Sequence, residues 1–472
     1  MLPIVVDLDE TLVLTDTLHE DFIRLARDYP LDLFRVPGWM SAGRAFLKRQ
    51  LLARTEINAA LLPYNTPLIE WLKQERAAGR RIVLCTASDE KTARAVAAEL
   101  DIFDEIMASD GERNLTGAVK AEELVKRFGL KQFDYVGDSK ADIRVWEKAN
   151  KAIVVNASPE VLEGARRVAD VERVFPRQAP GVKTLLRMLR VHQWMKNILL
   201  FAPCAAAHRL YQGTDILLLV VAFFAFGLCA SSVYITNDLL DLESDRAHPR
   251  KRLRPFASGA VPVSRGAILA PALFVVSICL AALVSWPFLA WMLVYFVLTS
   301  AYSLFLKRLV LIDCIVLALL YTIRVIAGAA AIAIPLSFWM LALSVFLFLS
   351  LAFVKRCAEL QVQSARGHEK AHGRGYYITD APLVQTLGVV SGYAAVLVLA
   401  LYINSDAVRM LYRRFEIIWA AVPVLLFWVS WIWLKVQRGE MNDDPVIFAL
   451  KDRTSLVTGM IFVLTFALGA WV

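Results

Sequence analysis

Cysteine is scarce in this 472-residue chain, which has six cysteines and no CxxC pair. Four of them lie in long apolar runs, namely Cys204, Cys229, Cys279 and Cys314, so nothing supports a disulfide framework. The stretch MLPIVVDLDE lacks the basic region of a secretory signal peptide and becomes acidic after one strand's length. We therefore expect the N-terminal part of the chain to stay in the cytosol.

Low-complexity tracts and internal repeats are also missing, apart from the recurrence of apolar spans. Hydrophobic residues make up 57% of the chain, but their distribution changes near Arg190. Up to that point, short apolar runs alternate with charged segments such as DEKTARAVAAEL, which is typical of a soluble α/β domain. Beyond it, long apolar spans predict an all-α membrane domain.

The positive charge of the chain does not indicate nucleic-acid binding. The formal net charge is +8 and the isoelectric point is near 9.1, but the cations flank the apolar spans. The positive-inside rule describes this distribution for membrane proteins. We therefore expect the bilayer as a partner and no nucleic acid. The sequence leaves open whether the chain forms a homo-oligomer.

About nine apolar segments are long enough to cross a bilayer. They lie near 196–212, 216–235, 267–285, 288–306, 309–334, 338–354, 387–403, 415–434 and 455–472, and His208 and Arg209 shorten the first. Lysine and arginine concentrate in the predicted cytoplasmic loops Arg246–Arg265, Lys307–Arg308, Lys355–Arg374 and Lys435–Arg453. This asymmetry predicts a multi-pass protein of the inner (cytoplasmic) membrane, with its N-terminal domain and both candidate sites facing the cytosol.

One of these loops begins with NDLLDLESDRAHPRKRLRPFASG, residues 237–259. A plain solvated loop could have this composition. However, four polar residues at its start share one face if the helix continues past the membrane: Asn237, Asp238, Asp241 and Asp245. Stacked carboxylates repel one another unless a cation lies between them, which indicates a divalent metal. The cations that follow indicate a phosphate-rich substrate, and Lys251, Arg252 and Arg254 are candidates for binding it.

Further candidates for substrate binding lie in or beside the predicted spans. Arg324 lies well inside LVLIDCIVLALLYTIRVIAGAAAIAI, where an arginine costs at least about 2.5–3.5 kcal/mol, so we expect it to face a polar cavity or an anionic ligand. Charged residues at span ends often only extend to the interface. The other candidates are Lys196, Tyr302, Lys307, Asp313, Lys355 and Arg356.

The NDxxDxxxD pattern followed by RPFASG resembles the first aspartate-rich motif of the UbiA superfamily of intramembrane prenyltransferases, and the resemblance covers 187–472. Four segments, DRAHPRKRLRPFASGAVP, HQWMKNILLF, AYSLFLKRLVLIDCIV and KRCAELQ, resemble its decaprenyl-phosphate phosphoribosyltransferase branch. That branch joins phosphoribosyl pyrophosphate to a polyprenyl phosphate and releases pyrophosphate. The resemblance implies that Asp238, Asp241 and Asp245 hold one or two Mg²⁺ ions. Many members carry a second DxxxD motif, but here Leu317 stands four residues after Asp313.

The first 175 residues contain polar groups near the ends of predicted strands and the starts of helices. The segments are PIVVDLDETLV, RRIVLCTAS, AVKAEELVKRFG and FDYVGDSKADIRVWEKA. The second strand is predicted to end in Thr86. The polar residues of these segments are Asp7, Asp9, Thr86, Lys120, Asp138 and Asp142. Because open α/β folds bind ligands beyond the carboxyl ends of their strands, we expect one pocket there.

This ordered set resembles the motifs of the haloacid dehalogenase (HAD) superfamily of phosphotransferases, over about residues 1–175. The resemblance implies a Rossmannoid parallel sheet, with Asp7 as the nucleophile that forms an aspartyl phosphate and Asp9 as the general acid/base. It also implies one Mg²⁺ site, formed by Asp7, Asp9 (through its backbone carbonyl), Asp138 and Asp142. Thr86 and Lys120 would bind the phosphoryl group. A degenerate fold without catalysis is the alternative.

Two connecting segments complete the predicted organisation. Residues 16–67 are too many for a simple connection and are rich in helix formers, so they predict a small helical cap. Residues 176–195 predict a linker with a basic amphipathic helix that lies on the bilayer. The predicted domains are therefore 1–175 and 196–472, with the linker between them.

The fusion of these domains predicts two consecutive reactions. The transferase product would be a lipid-linked ribose that keeps its 5-phosphate, and the phosphatase would convert it to polyprenylphosphoryl ribose, a precursor of furanosyl donors. One alternative is a prenyltransferase that acts on an aromatic acceptor, with the phosphatase acting on an unrelated soluble ester. Another is a transporter or scaffold with a regulatory domain, which would leave the aspartate-rich motif without a role.

Overall fold

In the computed structural model the chain folds into two compact units, and we describe each separately. The first consists of Met1–Leu189 together with Tyr234–Pro271, and the second of Arg190–Val233 together with Ala272–Val472. The structure describes residues 1–109, 115–176, 179–365, 374–406, 408, 412, 414–441 and 445–471. Parts of two predicted cytoplasmic loops, 366–373 and 442–444, therefore lie outside the described residues.

A six-stranded sheet forms the centre of the first unit, with the strand order β3-β2-β1-β4-β5-β6 and parallel pairing throughout. The strands are β1 (Ile4–Val6), β2 (Ile82–Asp89), β3 (Glu105–Ser109), β4 (Asp134–Gly137), β5 (Lys151–Val155) and β6 (Asp170–Phe175). Val5 of β1 lies opposite Val83 on one side and Tyr135 on the other. The strand order reverses at β1, so its carboxyl end is the expected ligand-binding point of the sheet.

Alternation along the strands divides the core of this unit into two layers. Ile4 and Val6 pack in one buried cluster with Leu84, while Val5 packs in the other with Val83. Successive strand residues point to opposite faces, so an all-apolar strand such as β1 is buried on both sides. The predicted parallel sheet is confirmed.

Helices cover both faces of this sheet and form the predicted cap. The helices of Met1–Leu189 are α1 (Thr17–Asp28), α2 (Val36–Ser41), α3 (Arg44–Leu52), α4 (Thr66–Ala77), α5 (Glu90–Leu100), α6 (Gly117–Phe128), α7 (Ile143–Trp146), α8 (Pro159–Val168) and α9 (Val182–Met188). The cap consists of α1–α3 and the 3₁₀ helix Pro30–Arg35, and its small core includes Leu25, Trp39 and Leu51. Asp16 caps α1 by accepting hydrogen bonds from the first-turn amides.

The described residues after the linker are mainly helical. After α10 (Ala202–Ala206) come α11 (Gly213–Leu240), α12 (Leu242–Ala247), α13 (Val263–Val284), α14 (Trp286–Leu304), α15 (Ile312–Ala331), α16 (Phe338–Ser364), α17 (Ala381–Ile403), α18 (Phe415–Ile418), α19 (Ala421–Gln437), α20 (Pro445–Ala449) and α21 (Arg453–Trp471). Among the described residues, eight helical stretches are long and apolar enough to cross a membrane.

The first predicted span, 196–212, has a different form from the other eight. A 3₁₀ helix, Val191–Phe201, leads into α10, which is five residues long and has a proline near its start. Proline lacks the amide donor that a continuous α-helix needs at an interior position. This segment still packs tightly, because a Cβ on Gly328 of α15 would lie 2.0 Å from the carbonyl oxygen of Leu200.

Candidate active sites

The carboxyl ends of β1, β2 and β4 bring the predicted phosphotransfer residues together. Asp7 directly follows β1, Asp138 directly follows β4, and Lys120 lies in the first turns of α6. Thr86 is fully buried within β2, which continues to Asp89 rather than ending at Thr86 as predicted. A register irregularity between Cys85 and Asp89 accompanies this extension.

Three carboxylates of this site converge. Asp7, Asp138 and Asp142 each offer an oxygen, and these oxygens lie within 4.8 Å of one another. Burial raises the pKa of Asp7 to about 6, against the opposing effect of the Lys120 charge. Burial also raises the pKa of Asp138 well above its ordinary value, and the charges of Asp142 and Asp7 add to this effect. Like charges at this separation require a cation to remain ionised together.

Hydrogen bonds hold Asp142 in a single orientation. Its Oδ2 accepts from the amide of Ser139 at 3.0 Å and from the Ser139 hydroxyl at 2.7 Å. Its Oδ1 accepts from the hydroxyl of Tyr135 at 2.8 Å. Gly137 allows this close approach, because a Cβ at that position would lie 2.8 Å from Cγ of Asp142.

Lys120 joins the carboxylates to the tyrosine. Its Nζ lies 2.9 Å from Oδ2 of Asp7 and donates a hydrogen bond to the hydroxyl of Tyr135 at 2.9 Å. Burial alone would lower the pKa of this ammonium group, but Asp7 and Asp142 raise it above its ordinary value. Lys120 therefore carries its positive charge inside the site, as a phosphoryl-binding group requires.

Asp9 is held by the cap helix and by β2. Its Oδ1 accepts a hydrogen bond from the amide of Thr17 at 2.8 Å, and its Oδ2 accepts one from the hydroxyl of Ser88. Burial raises the pKa of Asp9, as does the nearby charge of Asp16. A carboxyl group whose protonated form is favoured suits a general acid. The sequence prediction missed Thr17, Ser88 and Tyr135, because no spacing rule links them to the aspartates.

These residues fit a magnesium site. Mg²⁺ prefers oxygen ligands, chiefly carboxylates, and a divalent charge would offset the repulsion among Asp7, Asp138 and Asp142. Their roles as metal ligands, and those of the other candidate residues, remain predictions.

The aspartate-rich segment brings two of its carboxylates onto one arginine. Nη1 of Arg254 donates to Oδ1 of Asp238 at 3.1 Å and to Oδ2 of Asp245 at 2.6 Å. Asp238 and Asp245 are 3% and 1% exposed. The Oδ1 atom of Asp245 is buried without a hydrogen-bond partner among the described residues. This buried oxygen is consistent with a cation at the motif, and the residues present fit Mg²⁺.

The helix breaks inside this motif, contrary to the continuous helix on which the shared face depended. α11 ends at Leu240 and α12 begins at Leu242, although the amide of Asp245 still donates to the carbonyl of Asp241 at 2.8 Å. Asn237 and Asp241 are half-buried, whereas Lys251 and Arg252 are exposed. Nζ of Lys251 lies 4.0 Å from Asp245.

The second unit contains a buried ion-pair network between α15 and α16. Nη2 of Arg356 lies 2.5 Å from Oδ2 of Asp313, and both side chains are fully buried. Arg374 lies 3.6 Å from the same oxygen and 3.2 Å from Glu359, which also pairs with Arg356. Two tyrosines complete the network: Tyr376 donates to Asp313 at 2.6 Å, and Tyr302 accepts from Arg374 at 3.1 Å.

This network contains three predicted residues (Tyr302, Asp313 and Arg356) and three that the prediction did not include (Glu359, Arg374 and Tyr376). Lys307 lies in the 3₁₀ helix Leu306–Arg308 and is half-buried, as is Lys355 of α16. No sequence motif connects Arg374 to α15, so only the fold reveals that Arg374 lies close to Asp313.

Arg324 lies in a polar setting inside the second unit. It is 4% exposed, and it donates to Oδ1 of Asn197 at 3.1 Å and to the hydroxyl of Tyr295 at 2.9 Å. Its guanidinium also lies 5.8 Å from the ring centre of Tyr321, and Nζ of Lys196 lies 5.4 Å from the same ring. Arg324 therefore meets polar and aromatic side chains, and Lys196 and Arg324 approach the same aromatic ring; the predicted polar cavity or anionic ligand stays a prediction.

Comparison with known proteins places this chain. The UbiA prenyltransferase family matches residues 198–470, and the haloacid dehalogenase-like hydrolases match residues 4–147. The chain belongs to the UbiA prenyltransferase family. It is a multi-pass membrane protein that combines a UbiA domain with an N-terminal HAD-like domain, as the sequence predicted.

Individual relatives extend this classification. The uncharacterized protein y4nM of Sinorhizobium fredii is 35% identical over 471 residues, which is 99% of this chain and 91% of that protein. The decaprenyl-phosphate phosphoribosyltransferase of Mycolicibacterium smegmatis is 35% identical over 280 residues, which is 58% of this chain and 87% of that enzyme. A UbiA homolog from Archaeoglobus fulgidus, solved with GPP and Mg²⁺, is 17% identical with a TM-score of 0.45, and the match covers 61% of this chain and 98% of that one.

Proposed function

We propose that the protein transfers 5-phosphoribose from phosphoribosyl pyrophosphate to a polyprenyl phosphate of the decaprenyl type, and that its HAD-like domain then removes the 5-phosphate. The observation that carries the transferase half is the convergence of Asp238 and Asp245 on Arg254. Groups that suit a metal and a group that suits a phosphate meet there, as a diphosphate substrate requires. The identity to a decaprenyl-phosphate phosphoribosyltransferase supports this choice of substrates.

In the transferase reaction, an oxygen of the lipid phosphate attacks C1 of the ribose while the bond from C1 to pyrophosphate breaks. One or two Mg²⁺ ions held by Asp238, Asp241 and Asp245 would supply charge neutralisation for the leaving pyrophosphate. Arg254, Lys251 and Arg252 would bind the phosphate groups of the soluble substrate. Asn237 would orient that substrate beside them.

The lipid phosphate needs cations of its own. Lys196 and Arg324, which flank the ring of Tyr321, are suited to an anionic head group because Arg324 donates to the neutral side chains of Asn197 and Tyr295. Lys307 and Lys355 would serve the same substrate. The network of Asp313, Arg356 and Tyr302 would hold the neighbouring helix ends in place for binding.

In the phosphatase reaction, Oδ of Asp7 attacks the 5-phosphate and the bond from phosphorus to the ribose oxygen breaks. Asp9 gives its proton to that oxygen, then accepts one from the water that hydrolyses the aspartyl phosphate. Lys120 and Thr86 bind the phosphoryl oxygens. A single Mg²⁺ held by Asp7, Asp138 and the carbonyl of Asp9, with Asp142 in support, would neutralise phosphoryl charge.

Both reactions would take place on the cytosolic side of the inner membrane, where phosphoribosyl pyrophosphate is available. The excess of lysine and arginine in the loops that include Arg246–Arg265 supports this orientation. The domains in this proposal are 1–175 and 196–472. The linker contributes α9, whose exposed apolar residues Val182, Leu185 and Leu186 suit contact with the bilayer.

Thin-layer chromatography of lipids tests both reactions. Purified wild-type protein and Asp7→Asn receive labelled phosphoribosyl pyrophosphate, polyprenyl phosphate and Mg²⁺. We expect wild type to form a labelled lipid that has lost a phosphate, and Asp7→Asn to accumulate the more acidic precursor. If both stop at the same phosphorylated lipid, the HAD-like domain acts on another substrate.

Failure to label any lipid, under conditions in which a known phosphoribosyltransferase succeeds, would contradict the transferase assignment. Reaction of an isoprenyl diphosphate with an aromatic acid would instead support the aromatic-acceptor alternative.

A further inference from the structure

A cluster of charges, most of them buried, joins the cap helix α1 to α12, the short helix that carries Asp245 of the aspartate-rich motif. Both helices belong to the first unit. Arg246 donates from Nη1 and Nη2 to the two carboxylate oxygens of Glu20, at 2.9 and 2.6 Å. The two residues are 8% and 2% exposed. A bidentate hydrogen-bonded contact between a guanidinium and a carboxylate fixes their relative orientation as well as their distance.

A second acid extends this contact along α1. Glu243 accepts a hydrogen bond from Nε of Arg24 at 2.8 Å and one from Nη1 of Arg27 at 2.9 Å. Glu20, Arg24 and Arg27 are separated by four and three residues, so they lie on one face of the helix. We call the five residues Glu20, Arg24, Arg27, Glu243 and Arg246 the clamp.

The clamp admits one register between the two helices. The acid on each helix faces arginine on the other: Glu20 accepts from Arg246, and Glu243 accepts from Arg24 and Arg27. A shift by one turn would separate the buried Arg246 from Glu20, which is strongly unfavourable. The backbone beside it also approaches the cap closely. Gly259 has a φ of +73°, and a Cβ there would lie 2.6 Å from Cβ of Leu14. Leu14 lies between Asp9 and α1 in the sequence.

Contacts continue from the clamp toward both candidate sites. On one side, the first residue of α1 is Thr17, whose amide donates to Asp9 at 2.8 Å. On the other, Nε of Arg246 donates to the carbonyl of Ala257 at 3.1 Å, three residues from Arg254. A single 12-residue helix therefore connects the proposed general acid to the segment that carries the aspartate-rich motif.

We propose that the segment Tyr234–Pro271 is a second part of the phosphatase cap and that the clamp holds this segment beside α1. The segment gives the HAD-like domain its preference for a membrane-bound phosphate ester over a soluble one. This inference rests on the proposed function. The segment connects two membrane-crossing helices, α11 and α13, so whatever it helps to bind lies at the bilayer surface. Its exposed cations Lys251 and Arg252, which would bind phosphoribosyl pyrophosphate before the transfer, also complement the phosphodiester of the lipid-linked ribose 5-phosphate that the transfer forms.

Steady-state kinetics on two substrates test the proposal. One substrate is synthetic 5-phosphoribosyl polyprenyl phosphate in detergent micelles, and the other is ribose 5-phosphate. Glu20→Gln and Arg246→Gln are expected to raise KM for the lipid ester at least tenfold, with kcat/KM for ribose 5-phosphate within twofold of wild type. Arg246→Lys keeps the positive charge but loses the bidentate contact, so its KM for the lipid ester should lie between those of wild type and Arg246→Gln.

Glu160→Gln is the matched control, because Glu160 pairs with Lys140 on the surface, where both are about three-quarters exposed. It should leave the kinetic constants for both substrates unchanged.

Equal losses of kcat/KM on the two substrates would show that the clamp has only a structural role, and unchanged kinetics on the lipid ester would overturn the inference. If wild type hydrolyses ribose 5-phosphate but not the lipid ester, the phosphatase half of the proposed function fails. Thermal unfolding of each variant, measured in parallel, identifies a general loss of folding.

Discussion

Lys120 is a buried cation that owes its charge to its neighbours. Its side chain is 3% exposed, and it lies 2.9 Å from the carboxylate of Asp7. Taking an ammonium group out of water is costly, and nearby carboxylates offset that cost. The same residue would then meet the oxygens of the phosphoryl group as it moves to Asp7. Its contribution to binding should therefore grow as charge develops on those oxygens.

Replacement of Lys120 by methionine should lower phosphatase activity by about 10²–10³-fold, the usual effect of removing one preorganised charge-stabilising group. The measurement is kcat on ribose 5-phosphate. Lipid labelling from phosphoribosyl pyrophosphate is the control, and it should persist because Lys120 lies in the HAD-like domain. A loss of less than threefold would contradict the proposed role.

Gly137 is constrained by the orientation of Asp142. Gly137→Ala should destabilise the protein by about 1–3 kcal/mol, the range for overpacking a well-packed core, because the added Cβ would lie 2.8 Å from Cγ of Asp142. The midpoint of thermal unfolding measures this. Gly38→Ala is the control, since no atom beyond its chain neighbours and the backbone of its own helix would lie within 4 Å of the added Cβ. Equal stability of the two variants would refute this account.

At the level of elements, the ends of α15 and α16 are joined by charge as well as by apolar packing. Asp313 is the second residue of α15 and Arg356 lies near the end of α16, and both are fully buried. A buried ion pair adds little when compared with an apolar pair of the same shape, but removing one partner leaves a charge that has lost its water.

Asp313→Asn should therefore destabilise the membrane domain by about 3–5 kcal/mol. Glu359→Gln should cost about 1 kcal/mol or less, because the Glu359 side chain is 36% exposed. Thermal unfolding in detergent, followed by the loss of helical circular dichroism, compares the two. A larger loss of stability for Glu359→Gln than for Asp313→Asn would contradict the greater importance assigned to the buried pair of Asp313 and Arg356.

The elements themselves were largely predictable, and the reason is local. The strands at Asp7 and Asp138 are short apolar runs that end in carboxylates, so the sequence places both groups at the edge of the sheet. Long apolar spans likewise predict membrane helices. The break at Asp241 and the 3₁₀ form of Val191–Phe201 were not predictable, because tertiary contacts decide both.

Contacts between distant parts of the chain account for most of what the sequence prediction missed. Arg374 reaches Asp313 from a different segment, and Glu20 meets Arg246 across 226 positions. A lone arginine in a basic loop has no spacing signal that names its partner. The composition of Arg246–Arg265 indicated the membrane side and a phosphate-rich substrate, but nothing in it identified Glu20 as the partner of Arg246.

At the scale of the whole molecule, the segment before α11 has an informative length. The 3₁₀ helix Val191–Phe201 has 11 residues and α10 has five. A 3₁₀ helix rises about 2.0 Å per residue and an α-helix about 1.5 Å, so together they extend about 30 Å. This equals the hydrocarbon thickness of a typical bilayer. A 16-residue stretch that is too short as an α-helix is thus long enough in its observed form.

The contact between Glu20 and Arg246 requires an even number of membrane crossings between these two residues. Residues joined by hydrogen bonds lie on the same side of a membrane, and α11 crosses it once before reaching Arg246. We therefore expect the chain to cross once more between the cap and Gly213, and we expect 191–206 to be the stretch that does so. Cysteines replacing Lys140 and Thr214, both exposed, should accordingly react with an impermeant maleimide from opposite faces of membrane vesicles. Labelling from the same face would show that 191–206 does not cross the membrane. Labelling from opposite faces would add this crossing to the eight candidate helices, which makes nine crossings.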